Sequence, residues 1–294
     1  MQILISIIIP TFNRAKILPN TINSILLNNY QNFEIIIVDD GSSDDTEKIV
    51  KNFKNEKIRY FKIKNSERGA ARNYGAQKSK GLFLNFFDSD DISYDNHIKS
   101  AVNIIQQNNF IEIFHLSYDL INNNKNKTKT VISYGKTNVR LLRGNFISCN
   151  SLFIKKNIFN KFKFDENRYL SGSEDWDLWL RISRFYQIYN FKYVTSAIVD
   201  HNDRSMNEKN FNKISKRLQI IREKVKNNLY KNLKNNEMNK ILGHLISFET
   251  FYQSLLTSGK LNVIKNYTKS IFLDPILIFN PRSFLIIRNI LFKW

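Results

Sequence analysis

The chain has 294 residues, of which 42% are hydrophobic and 24% are charged, and its formal net charge is +19. This length and apolar content exclude a disordered protein and favour one large α/β domain with an appended segment over two small domains. The single cysteine, Cys149, excludes an internal disulfide and a cysteine-based zinc site, and it indicates a reducing compartment.

The first part of the chain alternates short apolar runs with helical patterns, which is typical of βαβ units and a mostly parallel sheet. Strands are predicted at 3–9, 34–38, 58–63 and 82–87, and helices at 17–27, 44–53, 69–79 and 95–107. The run at 3–9 lacks the basic lead-in of a signal peptide, so we expect it to be the first buried strand. No run reaches the roughly 18 apolar residues of a membrane span.

Residues 122–130 are polar and predict a surface loop or hairpin tip, whereas 174–185 has a helical pattern and 193–199 predicts a strand. The character changes after residue 205. Residues 206–294 contain 16 Lys or Arg against 5 Asp or Glu. Apolar residues at three- and four-residue steps from Phe211 to Leu233 predict one long helix with a basic opposite face.

This stripe is expected to pack onto the main domain, with a coiled-coil partner and an anionic membrane as the alternatives. The positive charge itself leaves two interpretations open. It is typical of proteins that bind nucleic acid, an anionic membrane or a phosphorylated ligand. It is equally explained by the abundance of Lys, Asn and Ile that an AT-biased coding sequence produces.

Polar clusters follow three predicted strands at their carboxyl ends, where open parallel sheets bind ligands. They are Pro10–Arg14, Asp39–Ser43 and Asp88–Asp91. Helix capping explains Asp39 and Asp40 equally well when they are taken alone. The third cluster holds three carboxylates in four residues, and like charges this close are costly unless a cation neutralises them. Oxygen ligands at this density favour Mg²⁺ or Mn²⁺.

The first of these loops, Pro10–Arg14, contains no glycine, which argues against a Rossmann dehydrogenase and a P-loop NTPase. A phosphate group would therefore be held by the metal and by arginines. Arg68 and Arg72, at the start of the helix predicted at 69–79, are the candidates. The alternative for both, and above all for Arg68, is a solvated helix face.

Five motifs occur in one order along the chain: SIIIPTFNR, IIIVDDGSSDDT, ERGAARNYG, FFDSDD and SEDWDLWLR. In this order, over roughly residues 5 to 205, the chain resembles the family 2 glycosyltransferases. These are inverting enzymes that build bacterial surface polysaccharides and related glycans. The resemblance implies the GT-A fold, a Rossmann-like, mostly parallel central sheet flanked by helices, in a catalytic domain at 1–205. It does not cover the rest of the chain, where the charge and periodicity predict a basic helical C-terminal extension at 206–294.

The resemblance also implies a nucleotide-sugar-binding half at 1–115. There Asp40 resembles the carboxylate that recognises the donor base, and Arg72 resembles the basic residue near the base and diphosphate. Asp90 is expected to coordinate Mn²⁺ or Mg²⁺, and Asp88 to contact the ribose or the metal shell. The full set of residues expected at the donor is Pro10, Thr11, Asn13, Arg14, Asp40, Arg72, Asp88, Ser89 and Asp90.

In the second half, 116–205, Asp175 resembles the catalytic base. Glu174 and Trp176 are assigned to the acceptor, and Trp179 to the core. His201 matches the place of a further metal ligand, although its neighbours Asp200 and Asn202 fit poorly. Without the other motifs, Glu174 and Asp175 would be better explained as two acids that stabilise a helix N-terminus.

The reaction implied is a single in-line displacement that moves a sugar of the hexosyl or N-acetylhexosaminyl type. A UDP sugar is the favoured donor, and the acceptor is a hydroxyl of a glycan or a lipid-linked glycan. The chain is expected in the cytoplasm, with peripheral contact with the inner face of an anionic membrane as a hypothesis. The alternatives are a sugar-phosphate nucleotidyltransferase and a basic nucleic-acid-binding protein. Only the charge supports the latter, and the carboxylate cluster would repel phosphates unless a metal were bound, so no nucleic-acid partner is expected.

Overall fold

A computed structural model describes residues 2–109, 111–200, 210–256 and 259–292. The chain divides into two compact units. The first unit comprises the described parts of Met1–Thr137, Ile147–Leu178 and Tyr186–Arg204. The second comprises the described parts of Asn138–Phe146, Trp179–Phe185 and Ser205–Trp294. The functional boundary expected at residue 205 stays a prediction.

The first unit contains one large mixed sheet. Its strands are β1 (Ile5–Thr11), β2 (Phe33–Asp39), β3 (Ile58–Lys62), β4 (Phe83–Phe86), β5 (Ile92–Ser93), β6 (Ile113–Asn122), β7 (Lys127–Val131), β8 (Leu152–Lys155) and β9 (Tyr189–Asp200). The strand order is β3-β2-β1-β4-β8-β6-β9-β5, and β7 pairs with β6. The pairs that join β3, β2, β1 and β4 are all parallel, as the alternating pattern of the first part predicted. β8 then enters antiparallel between β4 and β6.

The helices lie between these strands and beyond them. They are α1 (Leu18–Leu26), α2 (Thr46–Lys51), α3 (Glu67–Lys78), α4 (His97–Gln107), α5 (Thr137–Leu141), α6 (Lys156–Phe162), α7 (Glu174–Ser183), α8 (Phe211–Lys226), α9 (Asn235–Leu255), α10 (Lys260–Leu273) and α11 (Pro281–Phe292). Short 3₁₀ helices cover Cys149–Ser151, Arg168–Leu170 and Pro275–Phe279. The GT-A type of fold, with helices beyond the sheet unit, is confirmed.

The two central strands of the parallel part are buried along their whole length. Every residue of β1 and of β2 is buried, which is why both read as continuous apolar runs rather than alternating ones. α3 packs closely on them through glycine: a Cβ at Gly75 would lie 2.4 Å from Ile8 Cγ2. This close approach holds α3 against the parallel strands.

In the second unit, α8 packs against α9, and Ile214, Leu218, Ile221 and Val225 of its apolar stripe are buried. The prediction of one helix from Phe211 to Leu233 was wrong in its length. α8 ends at Lys226, Asn228 adopts a φ of 54°, and Leu229 is exposed. A left-handed residue terminates a helix, so the periodicity continued in the sequence after the helix had ended.

Candidate active site

The loops that follow β1 and β2 are tied together by side chains. The backbone N–H of Asn13, whose φ is 52°, donates to Ser42 Oγ at 2.8 Å. The side-chain oxygen of Asn13 accepts from the Ser43 N–H at 2.9 Å, and the Asp44 carboxylate accepts from the Ala15 N–H at 3.0 Å. Asn13 therefore shapes the loop, and its predicted contact with a donor stays a prediction.

At the carboxyl end of β1, Pro10 and Thr11 pair in register with Val38 and Asp39. Both are buried, and the hydroxyl of Thr11 is a buried polar atom with no hydrogen-bond partner among the described residues. Asp39 accepts from the Ser42 N–H at 2.7 Å. Thr11 thus leaves an unsatisfied oxygen at the strand edge where the donor was predicted to bind.

Asp40 joins the end of β2 to the start of α3. Its carboxylate accepts from the backbone N–H groups of Ser66 and Glu67 at 2.7 and 2.9 Å, and from Asn65 Nδ2 at 3.2 Å. Burial raises the pKa of Asp40, and these two backbone hydrogen bonds lower it in part. Asp40 therefore caps α3 rather than the helix that directly follows it, and recognition of a donor base by Asp40 stays a prediction.

The carboxylates of the cluster after β4 separate into different environments. Asp88 forms an ion pair with Arg72 at 2.6 Å, and Asp90 faces Arg14 at 3.6 Å. Both carboxylates remain accessible, with side chains that are 29% and 16% exposed. Asp91 instead turns inward, so only two of the three acids stay available to a ligand.

The buried members of this cluster hold neighbouring elements in place. Asp91 accepts from Asn150 Nδ2 at 3.0 Å and from the Val199 N–H of β9 at 3.1 Å. The backbone oxygen of Ser89 accepts from Thr21 Oγ1 of α1 at 3.0 Å, and Ser89 itself is buried. Asp91 and Ser89 therefore position the turn that presents Asp88 and Asp90.

Arg72 connects this turn to the N-terminus of α7. Its guanidinium donates to Glu174 at 2.7 Å as well as to Asp88, and it lies 5.2 Å from the centre of the Phe164 ring. The second oxygen of Glu174 accepts from the Gly172 N–H at 2.6 Å. Both residues are buried and engaged with the protein, so their predicted donor and acceptor contacts stay predictions.

Glu174 and Asp175 are neighbours in sequence but differ in their proton affinity. Burial alone would raise the pKa of Glu174, but the charges of Arg68 and Arg72 lower it below its ordinary value. Burial, followed by the negative charge of Glu174, raises the pKa of Asp175 to about 7. Carboxylates whose pKa values are pushed apart in this way are typical of acid and base sites.

The remaining predicted residues have mixed outcomes. Trp179 is fully buried, as expected of a core residue. Trp176 is also buried, so most of its ring surface contacts protein, and its assignment to the acceptor stays a prediction. His201 lies outside the described residues.

One cation near Asp40 was not singled out by the sequence patterns. Arg168 donates to Asn65 Oδ1 at 3.0 Å and lies 3.5 Å from Glu67 Oε1, and its side chain is exposed. It belongs to a short 3₁₀ helix about a hundred residues from these partners, so no local motif announces it. It brings a positive charge to the same strand edge.

Comparison with known proteins places this geometry in context. A sequence model described as "Glycosyl transferase family 2" matches residues 6–164. An uncharacterized glycosyltransferase of Rickettsia bellii is 35% identical over 202 residues, which are 65% of this chain and 29% of that protein. The chain thus spans under a third of that relative. The UDP-Glc:alpha-D-GlcNAc-diphosphoundecaprenol beta-1,3-glucosyltransferase WfgD of Escherichia coli is 32% identical over 180 residues, covering 61% of this chain and 69% of WfgD.

Solved structures show the same fold at low sequence identity. TarS 1–349 of S. aureus in complex with UDP-GlcNAc has a TM-score of 0.61 at 17% identity, covering 95% of this chain and 91% of that one. The mannosyltransferase PcManGT of Pyrobaculum calidifontis, in complex with GDP-Man and Mn²⁺, has a TM-score of 0.59 at 14% identity, covering 98% and 86%.

Proposed function

The chain belongs to glycosyl transferase family 2, and from this premise we propose that it moves one sugar from a UDP sugar to a hydroxyl of a lipid-linked glycan, with inversion. The observation that carries this proposal is the pair Glu174 and Asp175, whose pKa values are shifted in opposite directions beside the Asp88–Arg72 ion pair. A carboxylate whose pKa lies near neutral pH is thus subject to the charges of Arg72 and of Asp88, one of the strand-end carboxylates.

Asp175 is assigned the role of general base. It would take the proton of the acceptor hydroxyl as that oxygen attacks the anomeric carbon. A base is most effective when its pKa lies near the working pH, and such help contributes about 10²- to 10⁴-fold. Arg72 and Glu174 are assigned a positioning role, because the arginine holds Glu174 ionised and links the N-terminus of α7 to Asp88.

The donor set at Asp88 and Asp90 fits a divalent cation that shares its coordination with a substrate. Among the described residues, no group of three or more His, Cys, Asp or Glu side chains forms a complete protein site. Mg²⁺ and similar cations are often held by one or two carboxylates, with phosphate oxygens and water completing the shell. We therefore assign Mn²⁺ or Mg²⁺ to Asp88 and Asp90, where the cation would neutralise the departing diphosphate.

Arg14 is assigned to the diphosphate as well. It lies beside Asp90 on the loop that follows β1, and its side chain is partly exposed. The unsatisfied hydroxyl of Thr11 in the same strand edge is a further group that a donor could satisfy. Asp40 is assigned to the donor base, since its carboxylate oxygens can accept more than the hydrogen bonds they already receive.

The names of similar proteins support the substrate classes. WfgD is named for a UDP-Glc donor and a GlcNAc-diphosphoundecaprenol acceptor, and TarS was solved with UDP-GlcNAc. A hexosyl or N-acetylhexosaminyl donor linked to UDP is therefore proposed, together with an acceptor sugar on a lipid diphosphate. No observation favours the nucleotidyltransferase or the nucleic-acid-binding alternative.

A panel of nucleotide sugars, incubated with a GlcNAc-diphosphate lipid acceptor and either Mn²⁺, Mg²⁺ or EDTA, tests the proposal. Asp90→Asn should lose metal-dependent UDP binding in calorimetry. Asp175→Asn should keep that binding while its turnover falls about 10²- to 10⁴-fold. Asp95→Asn, an exposed isosteric change outside the site, is the matched control.

Two results would contradict the proposal. Turnover of Asp175→Asn at the level of Asp95→Asn would place the base elsewhere. A product whose new linkage keeps the anomeric configuration of the donor, read by NMR coupling constants, would exclude a single displacement.

A further inference from the structure

Large apolar side chains are concentrated on the outer surface of the second unit. Ten of the twenty-three exposed large hydrophobic side chains among the described residues fall within 259–292. The phenylalanines among them are Phe272, Phe279, Phe284 and Phe292, which expose 71–86% of their surface. Soluble proteins seldom expose so many aromatic side chains close together, and such a surface marks an interaction site.

α11 is apolar on its outer face and polar on its inner face. Phe284, Ile287 and Leu291 recur at three- and four-residue steps and are all exposed. Two of the three residues it buries, Ser283 and Asn289, are polar. A helix that met only water on its outer side would show the reverse arrangement.

The two buried polar side chains Ser283 and Asn289 are both hydrogen-bonded, so their burial is not a packing fault. Ser283 Oγ donates to the Leu277 carbonyl at 2.5 Å, and Asn289 Nδ2 donates to Ser254 Oγ of α9 at 3.0 Å. The inner face is thus a specific contact. The apolar outer face is then left for a partner.

α10 continues the same surface. It buries Val263 and Ser270 and exposes Leu261, Ile264 and Phe272. The 3₁₀ helix Pro275–Phe279 lies in contact with both α10 and α11, and α10 also contacts α11, so the three segments adjoin one another. We call the outer faces of α10, Pro275–Phe279 and α11 the apolar face.

The charges on these segments have one sign. Lys260, Lys265, Lys269 and Arg288 are exposed. Among residues 259–292 the only acid is Asp274, which is buried and bonded to Arg143. Exposed lysines and arginines between apolar and aromatic side chains are typical of elements that lie in the headgroup region of an anionic bilayer.

We propose that the apolar face binds the surface of an anionic lipid bilayer, with its phenylalanines inserted among the headgroups and its lysines on the lipid phosphates. Only the biological reason for this contact, which is to bring the enzyme to a lipid-linked acceptor, rests on the proposed function. No helix within the described parts of the chain is long and apolar enough to cross a bilayer. The face lies along the membrane instead.

A second copy of the chain fits this face less well. In a two-fold dimer the same patch meets itself, so the four exposed cations would be brought together without an exposed acid on either side. An anionic lipid surface supplies the opposite charge to every cation of the face.

Flotation of the full chain with phosphatidylcholine vesicles, with and without phosphatidylglycerol, tests the proposal. We expect binding to the anionic vesicles that weakens as salt is raised. The triple variant Phe272→Ser, Phe279→Ser, Phe284→Ser should lower the partition coefficient roughly a hundredfold, because apolar burial drives insertion. Its thermal melt should match wild type, since these side chains touch solvent.

A matched triple variant, Leu82→Ser, Tyr193→Ser, Leu229→Ser, removes exposed apolar side chains elsewhere and should bind vesicles like wild type. The charge variant Lys265→Gln, Lys269→Gln should lose the preference for phosphatidylglycerol. Absence of vesicle binding by wild type, or equal binding by the phenylalanine variant, overturns the proposal.

Self-association without lipid, measured by sedimentation and abolished in the phenylalanine variant, would assign the face to a second copy and also overturn the proposal. The proposed function is judged separately. The phenylalanine variant should keep full turnover on a water-soluble acceptor analogue. If wild type binds vesicles but shows no turnover, the result contradicts the proposed glycosyl transfer and leaves the membrane proposal standing.

Discussion

Replacement of Arg72 by methionine tests the ion pairs at the centre of the candidate site. The guanidinium donates to Glu174 and Asp88 at 2.7 and 2.6 Å, and the Arg72 side chain is 2% exposed. Methionine keeps an apolar stem but removes the charge and both hydrogen bonds. The variant therefore isolates what the guanidinium contributes to stability.

Most of the expected loss comes from Glu174. Its side chain is 5% exposed, so water does not solvate the carboxylate once its partner is gone. Removing one partner of a buried ion pair costs about 3–5 kcal/mol. Asp88 is 29% exposed and keeps its solvent contact, so the loss of its pair adds at most about 1 kcal/mol. The free energy of unfolding should fall by about 3–6 kcal/mol.

Urea denaturation of the full chain at neutral pH, followed by tryptophan fluorescence, measures this loss. The double variant Arg72→Met, Glu174→Gln is the matched control, because it also removes the stranded charge. It should regain about 2 kcal/mol or more relative to the single variant. A loss below about 1 kcal/mol in the single variant, or a double variant less stable than the single one, would refute the assignment.

The pH dependence gives an independent test with a definite sign. In the wild type the pKa of Glu174 lies below its ordinary value of 4.5, so its contribution to stability is present above that value and is lost as the pH falls. In Arg72→Met, burial still raises the pKa of Glu174 while Arg68, at 3.8 Å, is the arginine left to lower it, so that pKa rises relative to wild type. The stability deficit of the variant should therefore shrink as the pH is lowered towards the pKa of the unfolded chain.

With Asp175 as the base, kcat should rise with pH through about 7, and Glu174→Gln should shift the rise to lower pH because it removes a neighbouring negative charge. A flat profile would exclude this base. Asp40→Asn should cost about 1–3 kcal/mol in a thermal or urea melt and weaken UDP binding in calorimetry, since its two backbone N–H partners lose a carboxylate. Gly75→Ala should cost about 1–3 kcal/mol because its Cβ would lie 2.4 Å from Ile8 Cγ2, and an unchanged melt would disprove that close packing.

The parallel part of the fold was predictable because buried strands leave a strong local signal. β1 and β2 are buried along their whole length and carry the apolar runs 7–9 and 35–38, and the predicted strands lie within two residues of the observed ones. The insertion of β8 between β4 and β6 was not predictable in the same way. Strand order depends on pairing between distant segments. The sequence of a short strand such as Leu152–Lys155 does not predict which strands it pairs with.

The clustering of polar residues at the sheet edge also followed from the sequence, but their partners did not. Three acids in Asp88–Asp91 suggested one concentrated negative charge. In the structure, Asp91 instead accepts hydrogen bonds from Asn150 and Val199, which lie 59 and 108 residues further along the chain. Hydrogen bonds at such separations are set by the assembled fold, and no spacing rule reports them.

The opposite pKa shifts of Glu174 and Asp175 follow from one asymmetry in their surroundings. Two adjacent buried carboxylates without a cation would share a proton, and neither could be named as its holder. Arg72 contacts Glu174 directly and Arg68 lies 3.8 Å from it, so Glu174 remains ionised near neutral pH. Its negative charge then adds to burial in raising the pKa of Asp175 to about 7, so the pKa of Asp175 lies above that of Glu174. Because Arg72 also binds Asp88, the residue that sets this asymmetry is held by the strand-end turn proposed to carry the cation and the diphosphate.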